Sequence, residues 1–93
     1  MIKNFKCKET EKVWKREYSS HFSKDIQGKA RRKLIMLDAA STLTDLMVPP
    51  SNRLEKLKGN RRNQYSIRIN SQRRVCFYFK DGEASEVEIV DYH

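Results

Sequence analysis

The sequence lacks long apolar runs and familiar cofactor motifs, and it has only two cysteines. No stretch approaches the ~18 apolar residues that cross a membrane, and the first residues lack the apolar segment of a secretory signal. Neither a glycine-rich phosphate loop nor an HExxH zinc motif is present. Cys7 and Cys76 form no disulfide framework, and with His21 and His93 they lack zinc-site spacing. We therefore expect a cytoplasmic protein with no membrane segment, metal or cofactor.

The composition is that of one small folded domain. The 93 residues are 38% hydrophobic and 34% charged, which supports a modest core in a single domain over residues 1–93. Aromatic residues make up 10% of the chain, so the composition is not that of a disordered tail.

Positive charge is concentrated in the second half of the chain. The 20 basic and 12 acidic residues give a formal net charge of +8. Residues 51–80 carry nine bases and one acid, whereas residues 1–50 carry 11 and six, and residues 81–93 carry no base and five acids. A basic block of this kind is typical of a phosphate-binding surface, although some basic surfaces only keep a protein soluble.

The first half of the chain has helical periodicity. Val13, Trp14 and Tyr18 predict a short amphipathic helix within residues 8–19. A second helix is expected to begin after Ser23 as its N-cap. Its core-facing stripe consists of Ile26, Ala30, Leu34, Leu37 and Ser41. A further turn over residues 42–47 is expected to end at the two prolines, 49 and 50.

After the prolines the periodicity changes from 3.6 to 2. Alternation predicts strands over residues 65–70, 74–80 and 86–89, with a further short strand over 54–58. Asp81-Gly82 is a strong hairpin signal, and Ile2 with Phe5 indicates an edge strand. The expected fold class is therefore α+β, with two N-terminal helices packed on a small antiparallel sheet.

The alternation of side chains along each predicted strand shows which of them share a face of the sheet. If Ile67 and Val75 face the helices, Arg68, Arg74 and Tyr78 project from the opposite face. Lys58 and the Arg61-Arg62 loop are expected beside them, which suits phosphate binding and base stacking. The alternative is an exposed face that arginines merely solubilise. On this side we expect Cys76 to be a partly buried, inert thiol.

The chain closes on Asp91, Tyr92 and His93, directly after a strand. A carboxylate, a phenol and an imidazole can exchange protons or orient water, which is the chemistry of a metal-free ribonuclease. A terminal histidine is also common without any function. His21 lies between the predicted helices, where we expect a surface role.

Four segments resemble the HigB toxins, the plasmid-maintenance killer proteins of type II toxin–antitoxin pairs in the RelE/ParE superfamily. They are NRLEKLKG at 52–59, QYSIRIN at 64–70, RRVCF at 73–77 and VEIVDYH at 87–93. The resemblance covers nearly the whole chain and is most specific in the second half. It implies two N-terminal helices on an antiparallel sheet, in agreement with the residue patterns.

The resemblance also implies roles for individual residues. Lys58, Arg68 and Arg74 match basic positions that hold RNA and the scissile phosphate, and the C-terminal triplet matches functional positions. Several relatives carry histidine where this chain has Glu55, so either Glu55 or His93 is the expected general base. Arg73 occupies a position that is often aromatic in relatives, so its RNA contact is expected to differ from theirs. Together with Arg61, Arg62 and Tyr78, which the strand alternation and the charge place near the basic face, Arg73 is an expected RNA contact.

The function implied by the resemblance is ribosome-dependent cleavage of mRNA. The metal-independent reaction leaves a 2′,3′-cyclic phosphate and a 5′-hydroxyl. Expected partners are the ribosome, mRNA and a HigA-like helix-turn-helix antitoxin, with operator DNA bound only through the antitoxin complex. Two alternatives remain open: a ParE-like inhibitor of DNA gyrase that cuts no RNA, and a non-toxic nucleic-acid-binding relative.

Overall fold

A computed structural model describes residues 1–91. The first helix of the chain is shorter than the sequence predicts. Helix α1 spans Lys8–Trp14 rather than continuing to residue 19. The backbone leaves the helix at Arg16, where φ is +61°, in the left-handed region. Tyr18, expected on the apolar face of this helix, is consequently 81% exposed.

Helix α2 spans Lys24–Ala39 and begins as predicted. Ser23 is its N-cap, and the Ser23 Oγ atom accepts a hydrogen bond from the Ile26 backbone N–H at 3.3 Å. Of the predicted stripe, Ala30, Leu34 and Leu37 are fully buried. Ser41 lies beyond the end of the helix and is exposed, so the buried stripe ends at Leu37. The turn predicted next is a 3₁₀ helix, Leu43–Met47.

Four antiparallel strands form one sheet in the order of the sequence: β1 Glu55–Lys56, β2 Tyr65–Arg68, β3 Arg73–Lys80 and β4 Glu83–Asp91. The predicted α+β fold is confirmed. The predicted hairpin between β3 and β4 is also confirmed, because Asp81 and Gly82 have φ of +52° and +78°, as a type I′ turn requires. Isolated parallel bridges from Ile2 to Ala84 and from Phe5 to Val87 cover the β4 edge.

A single core fills the space between the helices and the sheet. Ala30, Leu34 and Leu37 of α2 meet Val75 and Phe77 of β3, and all five are fully buried. The packing of Val75 and Phe77 in one core with α2 confirms the predicted alternation of the strands. Within residues 1–91, no helix has the length and apolar character needed to cross a membrane.

The face of the sheet opposite the helices, here called the outer face, is less open than the sequence predicts. Ser66 and Cys76 are fully buried there, and Arg74 is only 8% exposed. The expectation of a partly buried Cys76 was therefore wrong. The physical reason is that residues 53–64 return along β2, and charged side chains including Arg61 and Glu88 surround the thiol. The centre of this face is packed, and its rim carries the accessible charges.

Candidate nucleic-acid interface

Arg74 is anchored by hydrogen bonds on the outer face. Its Nε atom donates to Ser66 Oγ at 2.7 Å, and its Nη2 atom donates to the Arg53 carbonyl oxygen. Arg53 ends the short 3₁₀ helix Pro50–Asn52 in the left-handed conformation, with a φ of +44°. This conformation lets its carbonyl oxygen face Arg74. The guanidinium of Arg74 is therefore fixed in direction before any ligand binds.

Arg68 lies directly opposite Arg74 in the β2–β3 register. Like charges at such paired positions repel each other and destabilise a sheet. The Arg68 Nε atom donates to the Asn70 carbonyl at 3.1 Å, and the Arg74 Nη1 atom is 3.9 Å from the Glu55 carboxylate. One carboxylate that is 57% exposed only partly offsets two guanidiniums. The arrangement therefore favours binding of an anion such as phosphate.

A second charged group lies on the other side of Cys76. The Arg61 Nη1 atom is 3.2 Å from the Glu88 carboxylate and also donates to Gln64 Oε1 at 3.3 Å. Arg61 is thus held by acidic and amide oxygens and is less available than the sequence alone indicates. Lys58 and Arg62 flank this group, on either side of the 3₁₀ helix Gly59–Arg61, and both are exposed.

Cys76 lies between these two charged groups. Burial raises the pKa of its thiol, and the negative charge of Glu88 adds to this effect, while the guanidiniums of Arg61 and Arg74 oppose it. The net direction is upward, so the thiol stays protonated and acts as packing beneath the charged side chains.

Three other predicted site residues, Arg73, Tyr78 and Asp91, do not lie beside Arg74. Arg73 lies on the opposite face, where its guanidinium is 5.3 Å from the centre of the Phe22 ring. Asp91 pairs with Arg73 in the β3–β4 register. Tyr78 is half-buried toward the hairpin, about 13 Å along β3 from Arg74 at ~3.3 Å per residue. Tyr92 and His93 lie outside the described residues.

Sequence reasoning missed the residues that position Arg74. Ser66 is two residues from Arg68 on the same strand, so the alternation of the strand already predicts that Ser66 lies on the outer face. Asn52 carried no such signal, yet it is fully buried. Its Nδ2 atom donates to the Leu46 carbonyl at 3.1 Å, and its Oδ1 atom accepts from Lys33 Nζ. Burial lowers the pKa of Lys33.

No cluster of three or more His, Cys, Asp or Glu side chains within residues 1–91 is arranged to hold a metal ion. The groups assembled at the Arg68–Arg74 pair are instead fixed cations with one neighbouring carboxylate. Such a set can bind a phosphate and stabilise added negative charge on it.

The family model of RelE-like HigB toxins of type II toxin–antitoxin systems matches residues 3–93 of this chain. The chain belongs to the HigB-like toxin family. It is 48% identical over 59 residues to Toxin HigB-1 of Vibrio cholerae and 38% identical over 56 residues to an uncharacterized protein of Haemophilus influenzae. These matches cover 63% and 60% of this chain, and the chain spans only 62% and 55% of those two proteins.

Two further matches cover whole chains. The HigB-like chain is 28% identical over 93 residues to Endoribonuclease HigB of Proteus vulgaris, across 100% of both proteins. It also superposes on a chain of a YoeB-YefM complex from Staphylococcus aureus with a TM-score of 0.64. That match covers 100% of this chain and 98% of the other, at 22% identity, and it supports the fold alone.

Proposed function

We propose that this HigB-like protein is a toxin that cuts mRNA on the ribosome as a metal-independent endoribonuclease. The observation that carries the proposal is the facing pair Arg68 and Arg74, with Glu55 beside it. Residues 51–80, which contain all three side chains, hold nine of the 20 basic residues and one acid. Membership of a toxin family and the name of the Proteus vulgaris relative support the same activity.

In the proposed reaction the 2′-hydroxyl oxygen forms a bond to the adjacent phosphorus, and its proton passes to Glu55. Arg68, Arg74 and Lys58 stabilise the negative charge that develops on the phosphoryl oxygens. The bond from phosphorus to the 5′-oxygen then breaks, and His93 supplies the proton that this oxygen takes up. The products are a 2′,3′-cyclic phosphate and a 5′-hydroxyl, and neither step requires a metal or cofactor.

Asp91 and Tyr92 are proposed to complete the site by orienting His93 and a base of the RNA. Arg61, Arg62 and Tyr78 are proposed to contact the RNA along the rim of the outer face. Arg73, which stacks on Phe22 at the start of β3, is proposed to contact RNA only at that end of the strand. If His93 alone moves both protons, Glu55 serves only to balance the charge of Arg74.

The proposed partners follow from the same assignment. They are the ribosome with its mRNA and a HigA-like helix-turn-helix antitoxin, with operator DNA reached only through the toxin–antitoxin complex. All of these are found in the cytoplasm, which we propose as the location of the protein. A strongly basic toxin also binds RNA without sequence preference, so we expect affinity to fall steeply with salt.

Primer extension on a defined mRNA with purified ribosomes tests the proposal. Arg68→Ala and Glu55→Gln are expected to reduce cleavage by at least about 100-fold, the typical effect of losing one preorganised donor or proton-transfer group. Lys24→Ala is the matched control, because Lys24 is exposed at the start of α2, away from the outer face. Wild-type cleavage by Arg68→Ala would contradict the proposal.

The products and the target are checked separately. A new 5′ end that polynucleotide kinase phosphorylates directly carries a free hydroxyl, as the proposed reaction requires. Inhibition of gyrase supercoiling by the purified protein, without any mRNA cleavage, would replace the ribonuclease with the ParE-like alternative.

A further inference from the structure

We infer that Lys6 binds the RNA backbone together with Arg61 on the outer face, and that Glu88 restrains the affinity of both for free RNA. The Lys6 Nζ atom is 3.9 Å from Glu88 Oε1, and the Arg61 Nη1 atom is 3.2 Å from the same oxygen. These three side chains are here called the Glu88 cluster. The inference rests on the RNA-binding role proposed above for the outer face and adds to it a contact from the start of the chain.

The N-terminal segment brings Lys6 to this surface. It runs beside β4, where Phe5 forms a parallel bridge with Val87 and the Lys6 backbone N–H donates to the Val87 carbonyl at 3.0 Å. The Phe5 side chain packs against the core between the helices and the sheet. Because successive side chains of an extended segment point to opposite sides, Lys6 points away from that core, toward Glu88 on the outer face.

Cys76 shows how close the cluster lies to Arg74. The positive charges of Lys6, Arg61 and Arg74 all oppose the rise in the pKa of the Cys76 thiol, so the three cations surround one buried sulfur atom. Glu88 pairs with Cys76 in the β3–β4 register, and Cys76 is two residues from Arg74 along β3. The separation along the strand is therefore about 7 Å. An RNA strand held at Arg74 can reach the Glu88 cluster with a neighbouring phosphate.

The cluster retains unused positive charge. Two cations share one carboxylate, which leaves a formal charge of one positive unit. Arg61 donates only through Nη1, to Gln64 and to Glu88, so its Nε and Nη2 atoms have no acceptor among residues 1–91. Lys6 is half-exposed and its contact with Glu88 is long, and ion pairs of this kind are weak. A phosphate can therefore take Lys6 from Glu88 and accept hydrogen bonds from Arg61.

Glu88 opposes this binding. Its carboxylate repels a phosphate, and Lys6 must leave it before it can contact RNA. A chain with a formal net charge of +8 binds RNA through charge alone, whatever the sequence of the RNA. A carboxylate at the centre of the basic surface weakens this non-specific binding. A larger share of the affinity must then come from groups that the ribosome presents.

Fluorescence anisotropy with a labelled 2′-O-methyl oligouridylate tests the inference on the full-length protein, because this RNA has no free 2′-hydroxyl and cannot be cut. Lys6→Ala is expected to weaken binding by about 5-fold, the size of one charge interaction at an exposed surface. The slope of log K against log salt concentration is expected to fall by about 0.7, the value for one phosphate contact on a single strand. Glu88→Gln, which keeps an oxygen acceptor for Arg61, is expected to tighten binding by about 5-fold.

An ion pair on α2 supplies the matched controls. The Lys29 Nζ atom is 3.4 Å from the Asp25 carboxylate, and Lys29 is 49% exposed, against 51% for Lys6. Lys29→Ala and Asp25→Asn therefore make the same changes of charge as the two test variants, on the opposite side of the sheet. Both are expected to bind the RNA within about 2-fold of the wild type, because distant surface charges are screened.

Wild-type affinity and salt slope in Lys6→Ala would overturn the inference, and so would an equal loss in Lys29→Ala, which would indicate a general effect of net charge. Unchanged or weaker binding by Glu88→Gln, in a protein that circular dichroism shows to be folded, would overturn the restraining role of Glu88. If Glu88→Gln does not fold, Lys6→Ala still decides whether the cluster contacts RNA.

Cleavage of ribosome-bound mRNA is measured on the same proteins. Lys6→Ala is expected to raise KM with little change in kcat, because its contact is away from the reacting phosphate. A fall in kcat with an unchanged KM would contradict a role in binding. If even the wild-type protein cuts no mRNA, the ribonuclease proposal fails, while the affinities for the uncleavable RNA still decide the role of Lys6 and Glu88.

Discussion

Ser66 Oγ accepts a hydrogen bond from Arg74 Nε at 2.7 Å, and both residues are buried on the outer face of the sheet. They are diagonal neighbours, because Ser66 pairs with Cys76, two residues beyond Arg74 on β3. The hydroxyl therefore sets the direction of a guanidinium that would otherwise sample several rotamers. Ser66 is a positioning residue, since it acts on the proposed substrate only through Arg74.

Ser66→Ala is expected to lower kcat for mRNA cleavage by about 10-fold with little change in KM, because Arg74 loses its direction but keeps its charge. The free energy of unfolding is expected to fall by about 1–3 kcal/mol, the cost of leaving a buried donor without its partner. Single-turnover cleavage and urea denaturation measure the two effects.

Ser66→Thr retains a hydroxyl and is expected to restore most of the activity. Ser71→Ala, in the exposed turn between β2 and β3, is the matched control and is expected to behave as the wild type. Equal loss of activity in the alanine and threonine variants would indicate that packing at this position matters, not the hydrogen bond.

Asn52 connects α2 to the segment that carries the Arg53 carbonyl. It accepts from Lys33 Nζ and donates to the Leu46 carbonyl, and it is fully buried. Asn52→Ala is therefore expected to lower the free energy of unfolding by about 2–4 kcal/mol, because the buried Leu46 carbonyl and the partly buried Lys33 ammonium both lose their partner. Asn60→Ala, at an exposed position, is the control.

A double-mutant cycle with Lys33→Met isolates the contribution of the Lys33–Asn52 contact. We expect a coupling energy of about 1–2 kcal/mol, because a hydrogen bond to a charged group is stronger than a neutral one. Additive effects of the two substitutions would show that this contact does not link α2 to the Arg53 segment.

Local signals in the sequence were sufficient for most of the fold. The Ser23 cap and the Asp81-Gly82 turn depend on residues close together in sequence, and both are confirmed. Alternation alone also placed Arg74 on the outer face. The same alternation puts Arg73 on the helical side, where it stacks on Phe22, so a pattern in the sequence argued against grouping it with the outer-face residues.

The burial of the outer face could not be predicted from periodicity. Cys76 is enclosed because residues far from it in sequence, Arg61 and Glu88, form an ion pair at 3.2 Å beside it. Asn52 is buried because α2 and the 3₁₀ helices meet around it. Such contacts depend on how separate elements pack, and no repeat along the chain encodes them.

Acid is expected to destabilise the protein partly through Asp45. The Asp45 carboxylate accepts hydrogen bonds from the backbone N–H groups of Ser41 at 2.9 Å and Thr42 at 3.1 Å, and these lower its pKa from the ordinary value of 3.8. A lowered folded-state pKa contributes stability above the unfolded value, and this contribution is lost as the pH falls through the folded value.

Asp45→Asn is therefore expected to be less stable than the wild type at neutral pH, with the difference shrinking once the pH falls below both pKa values. Thermal unfolding followed by circular dichroism between pH 7 and about pH 2 measures the difference. Asp81→Asn is the control, because Asp81 has a positive φ that asparagine also adopts, and it is expected to show a much smaller change. A stability gap for Asp45→Asn that stays constant over this range would contradict the assignment.

Two glycines of this chain are expected to respond in opposite ways to alanine. Gly28 lies in a regular helix with open space where the Cβ would be, so Gly28→Ala should raise the free energy of unfolding by up to about 1 kcal/mol. Gly59 has φ of +65°, so Gly59→Ala should lower it by about 1–2 kcal/mol. Urea denaturation measures both changes. A loss of stability in Gly28→Ala would contradict this expectation, because it would mean that the space beside Gly28 on α2 is filled in solution.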